Sequence, residues 1–210
     1  MGHDEDASLA RPRDPTASAA PAGAAGAKFD DHLIGAIAGG DTSCWPQLVA
    51  RHMPAIVGLA WHILGDASEA EDVAQETFER LLRKVATWRP GGASLRTWLT
   101  RVAINASIDR RRKRRTKTLD DEGELRDPVT DGNAVAQRTE VARHVRAPLA
   151  KLPDRQVLAM TLVHYQGHSA REAAALIETS IDALESLLAR ARRTLRADLA
   201  VVASDLLSGE

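Results

Sequence analysis

The 210-residue chain (22.7 kDa) is 44% hydrophobic but only 3% aromatic, and so few β-formers beside so many Ala, Leu and Arg predict helices and disfavour sandwiches or barrels. One cysteine, Cys44, excludes an intrachain disulfide and a Cys-rich zinc site, and no apolar run reaches the roughly 18–20 residues that span a bilayer. The first thirty residues also lack the basic-then-apolar order of a signal peptide, so a cytoplasmic chain with no membrane contact of its own is expected.

The formal net charge of −1 hides a segregation. Residues 41–117 carry 14 Lys and Arg against 8 Asp and Glu, whereas residues 1–40 carry 3 against 6 and residues 118–150 carry 4 against 7. A basic block between acidic neighbours points to a polyanionic partner for that block alone.

In chain order, residues 1–28 lack a periodic apolar pattern and are expected to be a disordered tail. Gln47 to Leu64 reads as a helix that Pro54 bends or interrupts. The next helix begins after Gly65-Asp66, where Ser68 and Glu71 have capping-box spacing. Ala74, Phe78, Leu81, Leu82 and Val85 then form one apolar face, and Trp88-Arg89-Pro90-Gly91-Gly92 ends the helix. A further helix runs from Ser94 through Leu95, Trp98, Leu99, Val102, Ile104 and Ile108 and is expected to end inside the basic run that follows.

Residues 116–140, with Asp127-Pro128 and Asp131-Gly132-Asn133, read as a linker. Beyond it come a short helix near Val141 to Lys151 and another opened by Pro153, with Val157, Met160, Leu162 and Val163 buried and Gln166-Gly167-His168 closing it. Ser169 and Glu172 form a capping-box pair, and Ser180 caps a last helix carrying Leu184, Leu187, Leu188, Ala191 and Leu195; residues 200–210 read as a tail. Two capped helices across so short a turn form a helix-turn-helix, whose second helix would enter a DNA major groove. The fold class is therefore all-α, with two small helical domains at 29–115 and 141–199 on a flexible linker.

Three constellations carry chemistry. Arg110-Arg111-Arg112-Lys113-Arg114-Arg115 repels itself unless phosphates neutralise it, and Arg89, Arg96, Arg101 and Asn105 precede it while Trp88 and Trp98 bracket a Pro-Gly-Gly loop. Cations beside aromatics can hold an unstacked single strand, although Trp98 also belongs to the apolar stripe of Leu95, Leu99 and Val102 and fits a core role better. Asp72, Gln75 and Glu76 share one side of a helix, where they form either a docking patch or a plain solvated face. His164 and His168 have metal-ligand spacing, but Gly167 lies between them at a helix end, so no metal or cofactor is expected; Cys44 beside Trp45 reads as a small hydrophobe.

Ala70-Glu71-Asp72-Val73-Ala74-Gln75-Glu76-Thr77-Phe78, Trp98 to Asn105 and Asp109-Arg110-Arg111 resemble region 2 of the extracytoplasmic-function (ECF) sigma factors. Leu152-Pro153 with Arg155 and Val157, then Gly167-His168-Ser169, Glu172-Ala173-Ala174 and Ala189-Arg190-Ala191-Arg192 with Leu195, resemble region 4 of the same family, in the same order. The resemblance implies a non-enzymatic subunit, without cofactors, that binds core RNA polymerase through its β′ clamp helices and β flap. Such a subunit directs transcription initiation at promoter DNA, is commonly held by an anti-sigma factor, and often serves a stress response.

By the same resemblance, Asp72, Gln75 and Glu76 fall where the family docks on polymerase. Arg89, Arg96, Arg101, Asn105, Asp109, Arg110, Arg111 and Arg112 fall where it engages the −10 element. Arg171, Ser180, Ala183, Glu185, Ser186, Arg190, Arg192 and Arg193 fall where it engages the −35 element. The sequence departs from the family pattern in carrying Glu178 for a turn Gly, Glu185 for a common Lys and Leu187 for a common Arg. The apolar Leu184, Leu187 and Leu188 raise the expectation that part of this helix is hidden against the rest of the protein or a partner. From another functional class, a stand-alone helix-turn-helix regulator binding duplex DNA as a dimer fits the second block alone.

Overall fold

Apolar residues at three- and four-residue spacing build helices throughout the computed structural model, which describes residues 24–89, 91–120, 149 and 151–208, and no strand occurs among them. The N-terminal module holds α1 (Ala24–Ala38), a 3-10 turn (Thr42–Cys44), α2 (Trp45–Leu64), α3 (Ala67–Val85) and α4 (Leu95–Asp120). The C-terminal module holds α5 (Asp154–Met160), which runs into a π-helical turn (Thr161–Tyr165), then α6 (Ala170–Leu176) and α7 (Ile181–Ser208). α1 already begins inside the tail expected at 1–28, and α7 runs on through most of the tail expected at 200–210. Of the linker expected at 116–140, residues 116–120 instead continue α4, and the rest, with most of the helix expected at 141–151, lies outside the described residues.

α2 begins at Trp45-Pro46, where a proline in the first turn removes only an N–H that has no helical partner. It then continues through Pro54 without a break, because Leu48, Ile56, Leu59 and Ile63 bury a face on both sides of that residue. Gly65 ends the helix in the left-handed conformation (φ 72°), its N–H donating to the Trp61 carbonyl at 2.8 Å. α1 is held to α2 by Asp30, which is 4% exposed and accepts from Arg51 Nε at 2.9 Å, with His52 Nε2 at 3.1 Å.

The cap of α3 corrects the sequence reading. Asp66, extended at φ −129° and ψ 126°, accepts from the Glu69 N–H at 2.9 Å, so the capping box expected at Ser68 and Glu71 does not form. The left-handed Gly65 reverses the chain immediately before Asp66, which puts the N-cap two residues ahead of Ser68 and leaves Ser68 inside the first turn. Ala74, Phe78, Leu81 and Val85 face the core as expected, but Leu82 is 59% exposed.

α4 buries Leu95, Leu99 and Ala103 and passes through the whole basic run to Asp120 instead of ending within it. Self-repulsion does not terminate the helix because the arginines reach acceptors on α2, α3 and the C-terminal module, described below. In that module Leu152, Val157, Leu162 and Leu184 are at most 1% exposed. Pro153 stands at the N-cap of α5, one place before the helical position expected for it. The capping box of α6 is present as read: the Ser169 N–H donates to Glu172 at 2.9 Å and the Glu172 N–H to Ser169 Oγ at 3.3 Å.

A single-residue test follows from the α3 start. Asp66→Ala is expected to destabilise the protein by about 0.5–2 kcal/mol and Ser68→Ala to change it little, as read from urea denaturation midpoints.

Candidate nucleic-acid interface

α4 turns by about 100° per residue, so neighbouring arginines in its basic end face different acceptors. Arg110 and Arg114 point towards the junction of α2 and α3. Arg110 donates to the Glu69 carbonyl at 3.0 Å and to Glu76 at 3.2 Å, and Arg114 donates to the Leu64 carbonyl at 3.2 Å and to Glu69 Oε2 at 3.3 Å. Arg111 and Arg115 point the other way, to Asp154 at the start of α5.

Arg111 is 9% exposed. Its Nε donates to Asp154 Oδ1 at 2.9 Å, Nη1 to the Ile63 carbonyl at 3.0 Å and Nη2 to the Leu152 carbonyl at 2.7 Å. Burial pulls this guanidinium below its ordinary value, the Asp154 charge pushes it back up, and Arg115 and Arg114 lower it again. Arg115 and Arg112 approach the same carboxylate at 3.4 and 3.5 Å. One aspartate thus gathers three cations of the run, much as a backbone phosphate would.

Two further cations expected at the −10 element, Arg96 and Arg101, are also turned to protein. Arg96 donates to the Gln166 carbonyl and Arg101 to the Ala175 carbonyl, each at 3.2 Å, and the exposed Arg101–Glu178 pair at 3.9 Å adds little. These carbonyls sit at helix ends, where the last peptide oxygens carry partial negative charge. Gln166 Nε2 donates back across the interface to the Ala55 carbonyl at 3.1 Å, and Tyr165 stacks on His62 with centroids 3.7 Å apart. Arg89, Asn105 and Asp109 remain exposed. The half-buried Trp88 and Trp98 pack edge to face at 6.0 Å, which favours the core role for Trp98.

Asp72, Gln75 and Glu76 do come together on the outer face of α3, with Glu79 and Arg110 around a shallow pocket of about 250 Å³. Glu76 also pairs with Arg80, and Gln75 donates to Glu79 at 3.0 Å. Arg110 therefore lies on this acidic side of the module and not with the other cations expected at the −10 element. Beside the patch, Trp45, Val49, Met53, Val57, Phe78 and Leu82 line an apolar groove of about 600 Å³, with Glu71 and Glu79 also among its lining residues.

On α7, Ser180 accepts from the Ala183 N–H at 3.1 Å and caps the helix, and Leu184, Leu188 and Ala191 face α5 and α6. Leu187 is half-buried against the core, and the helix that carries these leucines packs chiefly on α5 and α6 of its own module. Glu185, Ser186, Arg190, Arg192 and Arg193 are exposed, as is Arg171 on α6, while Ala183 is half-buried. Glu178 adopts the left-handed conformation at φ 53°, the reason a glycine suits that turn. Sequence reasoning missed Asp154, His62 and Tyr165. An excess of cations on α4 requires acceptors, but nothing in the linear pattern selects Asp154 among the acids.

These elements define a two-module, all-helical protein with a basic helix end in one module and a helix-turn-helix in the other. Residues 48–117 match the family model for sigma-70 region 2 and residues 145–195 that for sigma-70 region 4. The chain is 30% identical over 166 residues to the ECF RNA polymerase sigma factor SigE of Mycolicibacterium smegmatis, covering 77% of this chain and 63% of that one. It is 32% identical over 149 residues to the ECF sigma factor EcfG of Rhodopseudomonas palustris, covering 71% and 81%. A solved structure of CnrH in complex with the cytosolic domain of CnrY is similar at 29% identity and TM-score 0.61, over 82% of this chain and 97% of that one. The chain belongs to the ECF sigma factors of the sigma-70 family.

The His62–Tyr165 stack makes the closed arrangement acid-sensitive. Burial pushes His62 down to about 4, against 6.5 when free, so between these values the unfolded chain binds the proton first. Its stabilising contribution is complete above pH 6.5 and is lost as the pH falls towards 4. His168 is lowered by burial too, further by Arg96, with Glu172 opposing. His62→Phe is expected to reduce, without abolishing, the fall of Tm between pH 7 and 4 in thermal denaturation.

Proposed function

We propose that this chain is a specificity subunit that binds core RNA polymerase and directs it to promoters, without chemistry of its own and in the cytoplasm. Residues 29–115 would supply polymerase docking and −10 contacts, and residues 141–199 the −35 contacts. The observation that carries this reading is the pairing of two surfaces in one small module: the acidic face of Asp72, Gln75 and Glu76 on α3 and the cation-rich α4 behind it. The apolar groove beside the acidic face extends the docking surface, and an amphipathic helix with basic flanks is the partner it fits.

Engaging a promoter requires Arg96, Arg101, Arg111 and Arg112 to leave their protein acceptors. The chain as described is therefore the resting form, and the modules part when polymerase or DNA claims these surfaces. An anti-sigma factor would hold the chain away from polymerase by covering the docking face, a reading supported by the CnrH structure, which contains the cytosolic domain of CnrY.

Run-off transcription with purified core polymerase tests the central claim. Wild-type protein is expected to give promoter-directed transcripts, and the double variant Asp72→Arg, Glu76→Arg to lose both polymerase retention and transcription. Binding of duplex DNA as a dimer, with no effect on polymerase, would favour the stand-alone regulator instead.

Two further outcomes concern the basic helix. Replacing Arg112 and Lys113 by Gln is expected to lower the salt slope of binding to melted promoter DNA by about 0.7 per lost phosphate contact. Asp154→Asn keeps the shape of the side chain but weakens its hold on Arg111 and Arg115, and is expected to increase the radius of gyration in X-ray scattering.

A further inference from the structure

We propose that Glu185 reads a cytosine in the duplex promoter element engaged by α7, an inference that rests on the sigma-factor reading above. Leu184, Leu188 and Ala191, at 0%, 6% and 0% exposure, fix which side of α7 faces its own module. At about 100° per residue the opposite face is Asp182, Ser186, Ala189 and Arg193, with Glu185 on its flank. This outward face begins at the capped end of the helix, the end that contacts base edges when a helix-turn-helix docks in a major groove. Arginines enter the exposed surface of α7 only from Arg190 onwards, so its first two turns offer no cation to a guanine.

The fold does not account for Glu185. Three and four residues away along the helix stand Ile181, Asp182, Leu188 and Ala189, so no cation is placed to pair with it and one neighbour repels it. Asp182, in the first turn, is favoured by the helix dipole, whereas Glu185 lies beyond that turn. Among the described residues no hydrogen bond or ion pair engages Glu185, in contrast to Arg96, Arg101 and Arg111 on α4. An exposed acid near DNA phosphates is costly unless it meets a donor.

The chemistry of base edges says which donor. An ionised carboxylate only accepts. In the major groove guanine shows two acceptors, thymine an acceptor and a methyl group, and adenine a donor directly beside the N7 acceptor; cytosine alone offers a donor, its N4 amine, with no acceptor next to it on its own edge. A carboxylate on the flank of this outward face, within reach of a base edge, therefore favours cytosine and disfavours the other three bases.

The test uses the full chain with core polymerase and a promoter library randomised over the upstream duplex element, selected for transcription or retention. Wild-type protein is expected to enrich a cytosine at one fixed position, with replacements of that base reducing recovery about 5- to 150-fold. Glu185→Gln is expected to shift the preference at that same position towards adenine, since an amide both donates and accepts and matches adenine N6 and N7. Unchanged cytosine preference in E185Q, or an equal gain for all sequences, overturns the proposal, the latter showing that Glu185 only repels the backbone. Promoter-directed transcription with no base preference that depends on residue 185 removes this inference and leaves the sigma-factor reading standing. Failure of wild-type protein to direct any transcription removes both.

Discussion

The guanidinium of Arg111 is where the two modules meet. It is nearly buried and donates to the end of α2 at Ile63, to Leu152 ahead of α5 and to the carboxylate of Asp154. A buried charge is tolerated only when it is paired and its hydrogen bonds are satisfied, and removing one partner of such a pair typically costs about 3–5 kcal/mol. This one side chain thus fixes the end of α2, the direction of α4 and the seat of the C-terminal module. The rest of the interface, including the His62–Tyr165 stack and the Arg96 and Arg101 contacts, assembles around that seat.

The same chemistry serves rest and action. Carboxylate oxygens and the carbonyls at helix ends are acceptors with negative or partly negative charge, and so are phosphate oxygens. An arginine that caps Ala175 or grips Asp154 is equally equipped to follow a nucleic-acid backbone, so under the proposed function closing and promoter engagement would compete for the same donors. α7 stands outside this competition. Its Glu185, Ser186, Arg190, Arg192 and Arg193 stay exposed while the arginines of α4 are occupied.

Much of the site was legible in sequence, and the errors have identifiable causes. Asp72, Gln75 and Glu76 share a face because three- and four-residue spacing dictates it, and the structure places them around one pocket. The basic run could be recognised as a run but not divided. Arg110 and Arg111 are adjacent in sequence yet face Glu76 and Asp154 respectively, since one helical step carries a side chain a quarter turn or more around the axis. The start of α3 after Gly65-Asp66 was read correctly but its cap was misassigned, because Ser68 and Glu71 satisfy a local rule while the left-handed Gly65 makes Asp66 the residue in position to cap. Leu82 was assigned to the core by its spacing and instead borders the groove that the partner of α3 would occupy.

The sequence by itself determined an all-helical chain of two modules, the helix-turn-helix with its Ser169–Glu172 box, the acidic face of α3 and the basic end of α4. These follow from periodicity, capping chemistry and like-charge clustering, all of which act over a few residues. Only the tertiary structure decided that Asp154, more than forty residues from Arg111, is the acceptor for that basic end, that Arg110 belongs to the other side, and that Tyr165 covers His62. Which distant acid neutralises a cation depends on where packing brings helix ends together, and local pattern carries no record of that.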